Sequence, residues 1–367
     1  MRKIRFVSKL ILTLLLGIIA AILANMLAIA STPDLPFFLG QGLLGTSFTF
    51  KNTVVGGLSD ITYNPDKQVY YVISDDRSSK APARFYTLKI DLSKNIFSEE
   101  EIAFIDVTTL LDESGKPFPE LSLDPEGIAF TGNSLFITSE GDVSRQIQPF
   151  IKEFSLDGKY LRSLPIPDKI LIKPNGGIRN NLSLESVTVT PDKKSLFAAT
   201  ENALFQDGEE ATLTAGTPVR IWRYDLNNYQ PQEEYLYLTE PIAAPSTSEG
   251  GFMTNGLVGL LALSDGHLLS LERSFSVGPG NFIKVFEISL EGATNIKDID
   301  NLQQGMAEIV PVRKKLLLDL NNLGITLDNI EGMTFGPTLA DGRPSLVLVS
   351  DNNFNFLQVT QFLAFKL

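Results

Sequence analysis

The sequence predicts an all-β protein built as a single β-propeller. Three observations carry this: a hairpin unit that recurs five times, a period too long for a solenoid, and a chain that ends in a strand with nothing after it. The second unit is the clearest. It runs through Asp124-Pro125-Glu126-Gly127-Ile128-Ala129-Phe130, turns at Thr131-Gly132-Asn133 and returns through Ser134-Leu135-Phe136-Ile137-Thr138-Ser139-Glu140. The first unit runs from Leu58-Ser59-Asp60-Ile61 to Ser74-Asp75-Asp76-Arg77, and the third from Leu184-Glu185-Ser186 to Thr200-Glu201-Asn202. The fifth runs from Asn329-Ile330-Glu331-Gly332-Met333 to Ser350-Asp351-Asn352. The fourth opens without an acid, at Gly256-Leu257-Val258-Gly259, and closes at Leu271-Glu272-Arg273.

A hairpin brings its two ends together, and side chains alternate along each strand. The opening and closing acids of each unit therefore lie at one end: Glu126 to Glu140 is 14 residues, Glu185 to Glu201 is 16, and Asp60 to Asp75 is 15. Glu331 to Asp351 is 20, because Leu339-Ala340-Asp341-Gly342-Arg343 lengthens the turn. Five such hairpins around an axis put a ring of carboxylates at one mouth of a channel. Successive units start 59 to 73 residues apart (126 to 185, then 185 to 258), enough for a four-stranded blade of about 40–50 residues plus loops.

Strands for the rest of each blade follow in order. They are Arg84–Ile90, Phe150–Leu156, Val219–Tyr224 and Ile283–Ile288, all alternating or rich in β-branched and aromatic residues. The terminal strand, Val359–Leu367, pairs with an early segment, taken as Gly45–Phe50, to close the ring and remove a sheet edge. Five blades are counted. A sixth stays open if 291–320 hides a degenerate blade; the alternative is a long excursion ending in a strand at Leu316–Leu320.

The N-terminus is separate. Arg2, Lys3, Arg5 and Lys9 precede an apolar run from Leu10 to Leu27, and Ala28-Ile29-Ala30 has the small-x-small pattern of a signal-peptidase site. Residues 1–30 are expected to be a cleaved secretory signal, with a retained membrane anchor as the alternative. A linker at 31–44 and the propeller at 45–367 complete the domain plan. The protein is expected to be exported, secreted or periplasmic, and monomeric.

Composition narrows the chemistry. The formal charge is −12, and removing the four basic residues of the N-terminal segment leaves 43 acids against 27 bases, or −16. A surface of that sign repels nucleic acid and attracts divalent cations. There is no cysteine, which excludes disulfides and thiol catalysis. The one histidine, His267, lies in the turn Ser264-Asp265-Gly266-His267, at the opposite end from the acids. That disfavours a Ser-His-Asp triad and multi-histidine zinc sites. No P-loop or dinucleotide fingerprint is present.

An oxygen-rich chemistry remains. Carboxylates suit hard cations, Ca²⁺ first and Mg²⁺ or Mn²⁺ as alternatives. Clustered carboxylates cannot all ionise without a cation, so either a metal binds or a pKa rises to give a general acid or base. Asp75, Asp76, Glu140, Glu201, Glu272 and Asp351 are the candidate metal ligands, and Glu126, Glu185 and Glu331 the candidate catalytic acids. Arg77, Arg145 and Arg273 fall just past a closing acid, and Arg179 precedes the third hairpin. Arginine suits bidentate recognition of phosphate or carboxylate, so Arg77, Arg145 and Arg179 are candidate substrate ligands.

The ordered set Asp-Pro-Glu-Gly-Ile at 124–128, Ser-Glu-Gly at 139–141, Leu-Glu-Ser at 184–186, Thr-Glu-Asn at 200–202, Leu-Glu-Arg at 271–273, Glu-Gly-Met at 331–333 and Ser-Asp-Asn at 350–352 resembles the phytase-like family labelled for esterase-like activity. The resemblance spans about 45 to 367. It implies a secreted bacterial propeller that hydrolyses phosphoric or related small-molecule esters, and it adds Arg273 to the catalytic candidates. The opening Glu-Gly is also similar to the metal-ligand strand of calcium-dependent lactonase propellers. A lactonase or carboxylesterase, and a non-catalytic binding propeller, are the competing expectations.

Overall fold

The structure is a computed structural model and describes residues 36–94 and 96–367. The signal or anchor read at 1–30 lies outside the described residues. Among the described residues, no helix is long and apolar enough to cross a membrane.

Strand β1 (Phe37–Gly45) is followed by a small hairpin, β2 (Thr49–Phe50) and β3 (Thr53–Val54). Five four-stranded sheets then make up the rest. The first holds β4 (Leu58–Asn64), β5 (Val69–Ser74), β6 (Arg84–Ile90) and β7 (Ile102–Thr109). The second holds β8 (Pro125–Phe130), β9 (Ser134–Ser139), β10 (Phe150–Ser155) and β11 (Tyr160–Ser163). The third holds β12 (Leu184–Val189), β13 (Ser195–Thr200), β14 (Pro218–Asp225) and β15 (Gln230–Leu238). The fourth holds β16 (Met253–Ala262), β17 (His267–Ser276), β18 (Gly280–Ser289) and β19 (Arg313–Asp319). In the fifth, β20 (Asn329–Thr338), β21 (Pro344–Asp351) and β22 (Val359–Lys366) are joined by β1, giving the order β1-β22-β21-β20.

Each sheet runs antiparallel from an inner strand outward. The inner strands touch in sequence, β4 to β8 to β12 to β16 to β20, and β20 touches β4. That contact closes a five-bladed ring, and β1 stitches it by pairing antiparallel with β22. The apolar core sits between successive blades. Leu58, Val72 and Tyr86 of the first blade pack against Val349, Phe362 and Ala364 of the fifth, and Ile73 and Phe85 pack against Ile137 and Phe154 of the second. Trp222 is buried with Phe136 and Ile151 between the second and third.

Two expectations are corrected. The closing strand is Phe37–Gly45, not Gly45–Phe50, so 37–44 belongs to the propeller rather than to a linker, and Thr49–Phe50 pairs locally with Thr53–Val54. There is no sixth blade among the described residues. The segment 291–312 is an excursion that packs Ile296, Leu302 and Ile309 on Leu236 of the third blade, and the chain then returns as β19. A buried ion network pins this excursion: Arg220 pairs with Asp207 and Glu234 at 2.5 Å, and the Lys169 ammonium donates to the carbonyl of Ile299 at 3.0 Å.

Because β1 covers the outer edge of β22, its loss exposes a strand edge and opens the ring. A chain starting at residue 46 is expected to aggregate and lose its cooperative melt, while one starting at residue 36 stays in solution and melts cooperatively. Gel filtration and thermal melting check this.

Candidate functional site

All five inner strands break register at the same place. The breaks lie between Leu58 and Asp60, Pro125 and Ile128, Leu184 and Ser186, Leu257 and Gly259, and Ile330 and Gly332. A bulge leaves one residue out of the ladder and re-aims its side chain. The bulged positions are Ser59, Glu126, Glu185, Val258 and Glu331, so three of five blades present a glutamate there. In the second, fourth and fifth blades the residue that follows is a glycine, because the neighbouring inner strand presses on it. A Cβ on Gly332 would lie 2.7 Å from the Asp60 Cα, and one on Gly259 would lie 2.8 Å from the Glu331 carbonyl oxygen. This is why the motif reads Glu-Gly.

The returning strands define a second ring. Ser74, Ser139, Thr200, Glu272 and Ser350 pair with the residue just before each bulge. The next residues, Asp75, Glu140, Glu201, Arg273 and Asp351, are therefore equivalent. The fourth blade thus places an arginine where the others place an acid.

Several sequence-predicted residues come together here, and others do not. Asp75, Glu126, Glu185, Glu331, Asp351, Arg77 and Arg273 line one cavity of about 560 Å³ at this mouth. Glu140 and Glu201 are buried beneath it, and Glu140 accepts from the Ser183 amide. Glu272 lies one residue off the ring and faces away. It accepts from Tyr237 Oη at 2.6 Å, Lys314 Nζ at 2.7 Å and Asn255 Nδ2 at 3.1 Å, so it braces blades. Asp76 is held by Arg84 at 2.7 Å and accepts from the amides of Ser79, Lys80 and Ala81, which fixes a loop. Asp60 is likewise one past its bulge, and it accepts from the amides of Ile61 at 2.8 Å and Ile128 at 2.9 Å.

The arginines divide in the same way. Arg273 reaches Glu201 at 2.9 Å, Glu331 at 3.5 Å and Asn329 Oδ1 at 2.9 Å. Arg77 pairs with Asp142 at 2.5 Å and with Asp124 at 3.5 Å. Arg145 is half-exposed and also pairs with Asp142, at 2.9 Å. Arg179 does not line the cavity. It donates to the carbonyls of Ala203 at 3.0 Å and Gly208 at 2.7 Å and lies over the Phe205 ring.

Sequence reasoning missed Asp124, Asp142 and Asn329. Asp124 belongs to the quoted motif but precedes the bulge, and only the fold shows it beside Glu126 and Glu140. Oxygens of Asp124, Glu126 and Glu140, one from each, lie within 4.8 Å of one another. A Ca²⁺ ion bound at 2.3–2.6 Å holds ligand oxygens no more than about 5 Å apart, so this trio fits one hard cation.

Electrostatics point the same way. Burial pushes Glu140 up to about 8, with Asp124 adding and the Ser183 amide opposing. Burial pushes Asp124 up to about 7 against the pull of Arg77, and Asp351 up to about 6 against the Asn353 amide and Arg273. Burial with neighbouring carboxylates holds Asp75, Glu126 and Glu185 well above the usual range, and burial does the same for Glu331 despite Arg273. Burial disfavours the charge of Arg273, but Glu331, Glu201, Glu185 and Asp351 more than offset this and raise its pKa.

These facts meet a family. A family model described as "Phytase-like: Esterase-like activity of phytase" matches residues 53–354. The chain belongs to the phytase-like family. A protein of Arthroderma benhamiae named "Uncharacterized secreted protein" is 24% identical over 150 residues, which span 34% of this chain and 28% of that protein. Among solved structures, a bifunctional GH43-CE protein of Bacteroides eggerthii is 10% identical, covering 88% of this chain and 34% of that one with a TM-score of 0.43. A hypothetical protein from Leishmania major is 9% identical, covering 87% and 88% with a TM-score of 0.35. These distant likenesses carry no functional argument.

A carboxyl whose folded pKa is raised binds its proton more tightly in the folded state, so stability is lost as pH rises through the folded value. Without added cation, the melting temperature is expected to fall between about pH 5 and about pH 8, the window in which Asp351, Asp124 and Glu140 titrate. Adding Ca²⁺ should restore it near the upper end and do little near the lower. Thermal melts with and without chelator measure both. Gly332→Ala is expected to cost about 1–3 kcal/mol by denaturant unfolding, because the inner strands must part to admit a methyl group.

Proposed function

We propose that this protein is a metal-dependent ester hydrolase that acts on phosphate esters at the acidic mouth of the propeller. One observation carries the reading: Arg273 replaces an acid in a ring of carboxylates that also contains a trio able to hold a hard cation. Family membership and its esterase-like label support hydrolysis. The Nε atom of Arg273 is buried without a hydrogen-bond partner among the described residues, which leaves it a donor for an anionic oxygen, whereas that of Arg77 faces Asp124 at 3.5 Å.

In this reading Asp124, Glu126 and Glu140 hold the cation, Ca²⁺ by preference for an all-oxygen set. When bound, it polarises a phosphoryl oxygen and lowers the pKa of water. Arg273 orients the ester through its anionic oxygens, with Glu201, Glu331 and Asn329 fixing the guanidinium. Arg77 does the same from the rim, anchored by Asp142. Glu185 lines the cavity and its carboxyl is held well above the usual range by burial and by Glu140 and Glu201, which suits it to the role of general acid or base. Export from the cell is proposed with it, supported by the N-terminal pattern and by the relative named as secreted.

The test is hydrolysis of aryl phosphate, bis-aryl phosphate and aryl acetate by the purified protein, with Ca²⁺ and with chelator. Cation-dependent release from a phosphate substrate is expected, lowered about 100-fold or more by Glu185→Gln. Asp124→Asn should raise the cation concentration needed for half-maximal rate. Turnover of the acetate alone would replace this reading with a carboxylesterase. No turnover, with Ca²⁺ still raising the melting temperature, would leave a binding propeller.

A further inference from the structure

The cavity is not centred on the ring. Its carboxylate part lies over the channel, and a second part extends outward between the fourth and fifth blades. That arm is lined by Phe275 and Asn281 of β17 and β18, by Leu327, and by Asn353, Asn355 and Leu357 of the loop that follows β21. Arg77 and Arg273 are the basic residues lining the cavity, and both belong to the carboxylate part. The acid nearest the arm, Asp328, is satisfied internally: it accepts from the Val359 amide at 2.7 Å and from Gln358 Nε2 at 3.0 Å. The arm thus holds one internally bonded carboxylate and presents no cation toward a ligand. It is also furnished for one. Phe275 is half-buried and backed by Phe252, with ring centroids 6.2 Å apart. The buried Oδ1 of Asn281 has no partner among the described residues. Asn355 spends its Oδ1 on the Leu357 amide and keeps its Nδ2 for a ligand.

From this geometry we propose that the arm seats the alcohol part of the substrate, and that this part is an uncharged ring carrying hydrogen-bonding groups. The inference rests on the hydrolase reading and narrows its substrate class to esters with a single anionic group. A flat ring lies on Phe275 and Leu357, while Asn281 accepts from, and Asn355 donates to, its substituents. A further phosphate or carboxylate on that ring would enter an arm without a cation, next to a cluster of carboxylates. At about 560 Å³, the cavity has room for a ring as well as the ester group.

The test compares kcat and KM for methyl phosphate, aryl phosphate and an aryl phosphate bearing extra phosphate groups, all with saturating Ca²⁺. Aryl phosphate is expected to have a kcat/KM at least about tenfold above either of the others. Phe275→Ala should raise KM for aryl phosphate several-fold, leave kcat near its starting value and leave methyl phosphate unaffected. Leu357 is highly exposed, so Leu357→Asp keeps the fold and should weaken aryl phosphate alone. Equal or better turnover of the polyphosphorylated substrate, or a uniform effect of both variants on all three, would overturn the proposal while leaving the hydrolase reading intact. If nothing is turned over, the hydrolase reading falls and the arm is tested by calorimetry. Phenylphosphonate binding more tightly than methylphosphonate, with Phe275→Ala removing the difference, would sustain it; equal binding would overturn it.

Discussion

Everything at this mouth depends on how closely the inner strands approach. The five strands converge on the axis until the backbone of one lies against the next, and Gly332 and Gly259 mark where a side chain has no room. At that depth each strand bulges and releases one side chain from the ladder. The bulge turns structural necessity into a site, because the released side chain points where the channel is narrowest. Further along the inner strands, side chains tie the blades together. Asp60, Thr62 and Thr188 accept amide hydrogens from the adjacent inner strands and tie blade to blade.

The second constraint is charge. Asp75, Asp124, Glu126, Glu140, Glu185, Glu201, Glu331 and Asp351 share a small volume with Arg273, on the side of the fourth blade, and with Arg77. The interior cannot hold all of these carboxylates ionised. Protons relieve the repulsion at low pH, and a cation held by the trio would relieve it at neutral pH. The stability of the fold and the occupancy of the trio at Asp124, Glu126 and Glu140 are thus two views of one equilibrium. Burying so many like charges makes no sense as a stabilising device, since apolar residues at these bulges would cost less.

The blades were legible in the sequence because strand alternation and turn chemistry survive in every unit. The ring positions were legible only to within one residue. Reading the acids as the repeat put Asp60 and Glu272 on the ring; the bulges put Ser59 and Arg273 there. Nothing in Leu271-Glu272-Arg273 says which of the two charged residues faces the channel, because that depends on which partner of β16 each one faces. The closing strand was hidden for a different reason. Gly40 and Gly42 weaken its strand signal, yet both are required, since residues 97–99 pack directly on them: a Cβ on Gly40 would lie 2.1 Å from the Phe97 carbonyl oxygen. Arg179 misled because its partners are carbonyls of a loop 24 and 29 residues further on.

Symmetry explains where chemistry can occur on such a ring. Five identical blades would give a cation site on the axis with no preferred direction for a substrate. The fourth blade breaks the pattern twice, with Val258 at the bulge and Arg273 on the second ring. Losing a carboxylate and gaining a guanidinium on one side tilts the field across the mouth, so an anionic group is drawn toward the fourth blade and away from Glu140 and Glu185. The open arm leads from that same side, between Phe275 and the loop after β21. The trio at Asp124, Glu126 and Glu140 lies on the second blade, across the mouth from Arg273. In the proposed hydrolase, an ester drawn to Arg273 would present its reacting oxygens to the acidic side and its alcohol to the arm. In that reading the direction of the substrate would be set by the fourth blade's departures from repetition, not by any residue the repeat has in common.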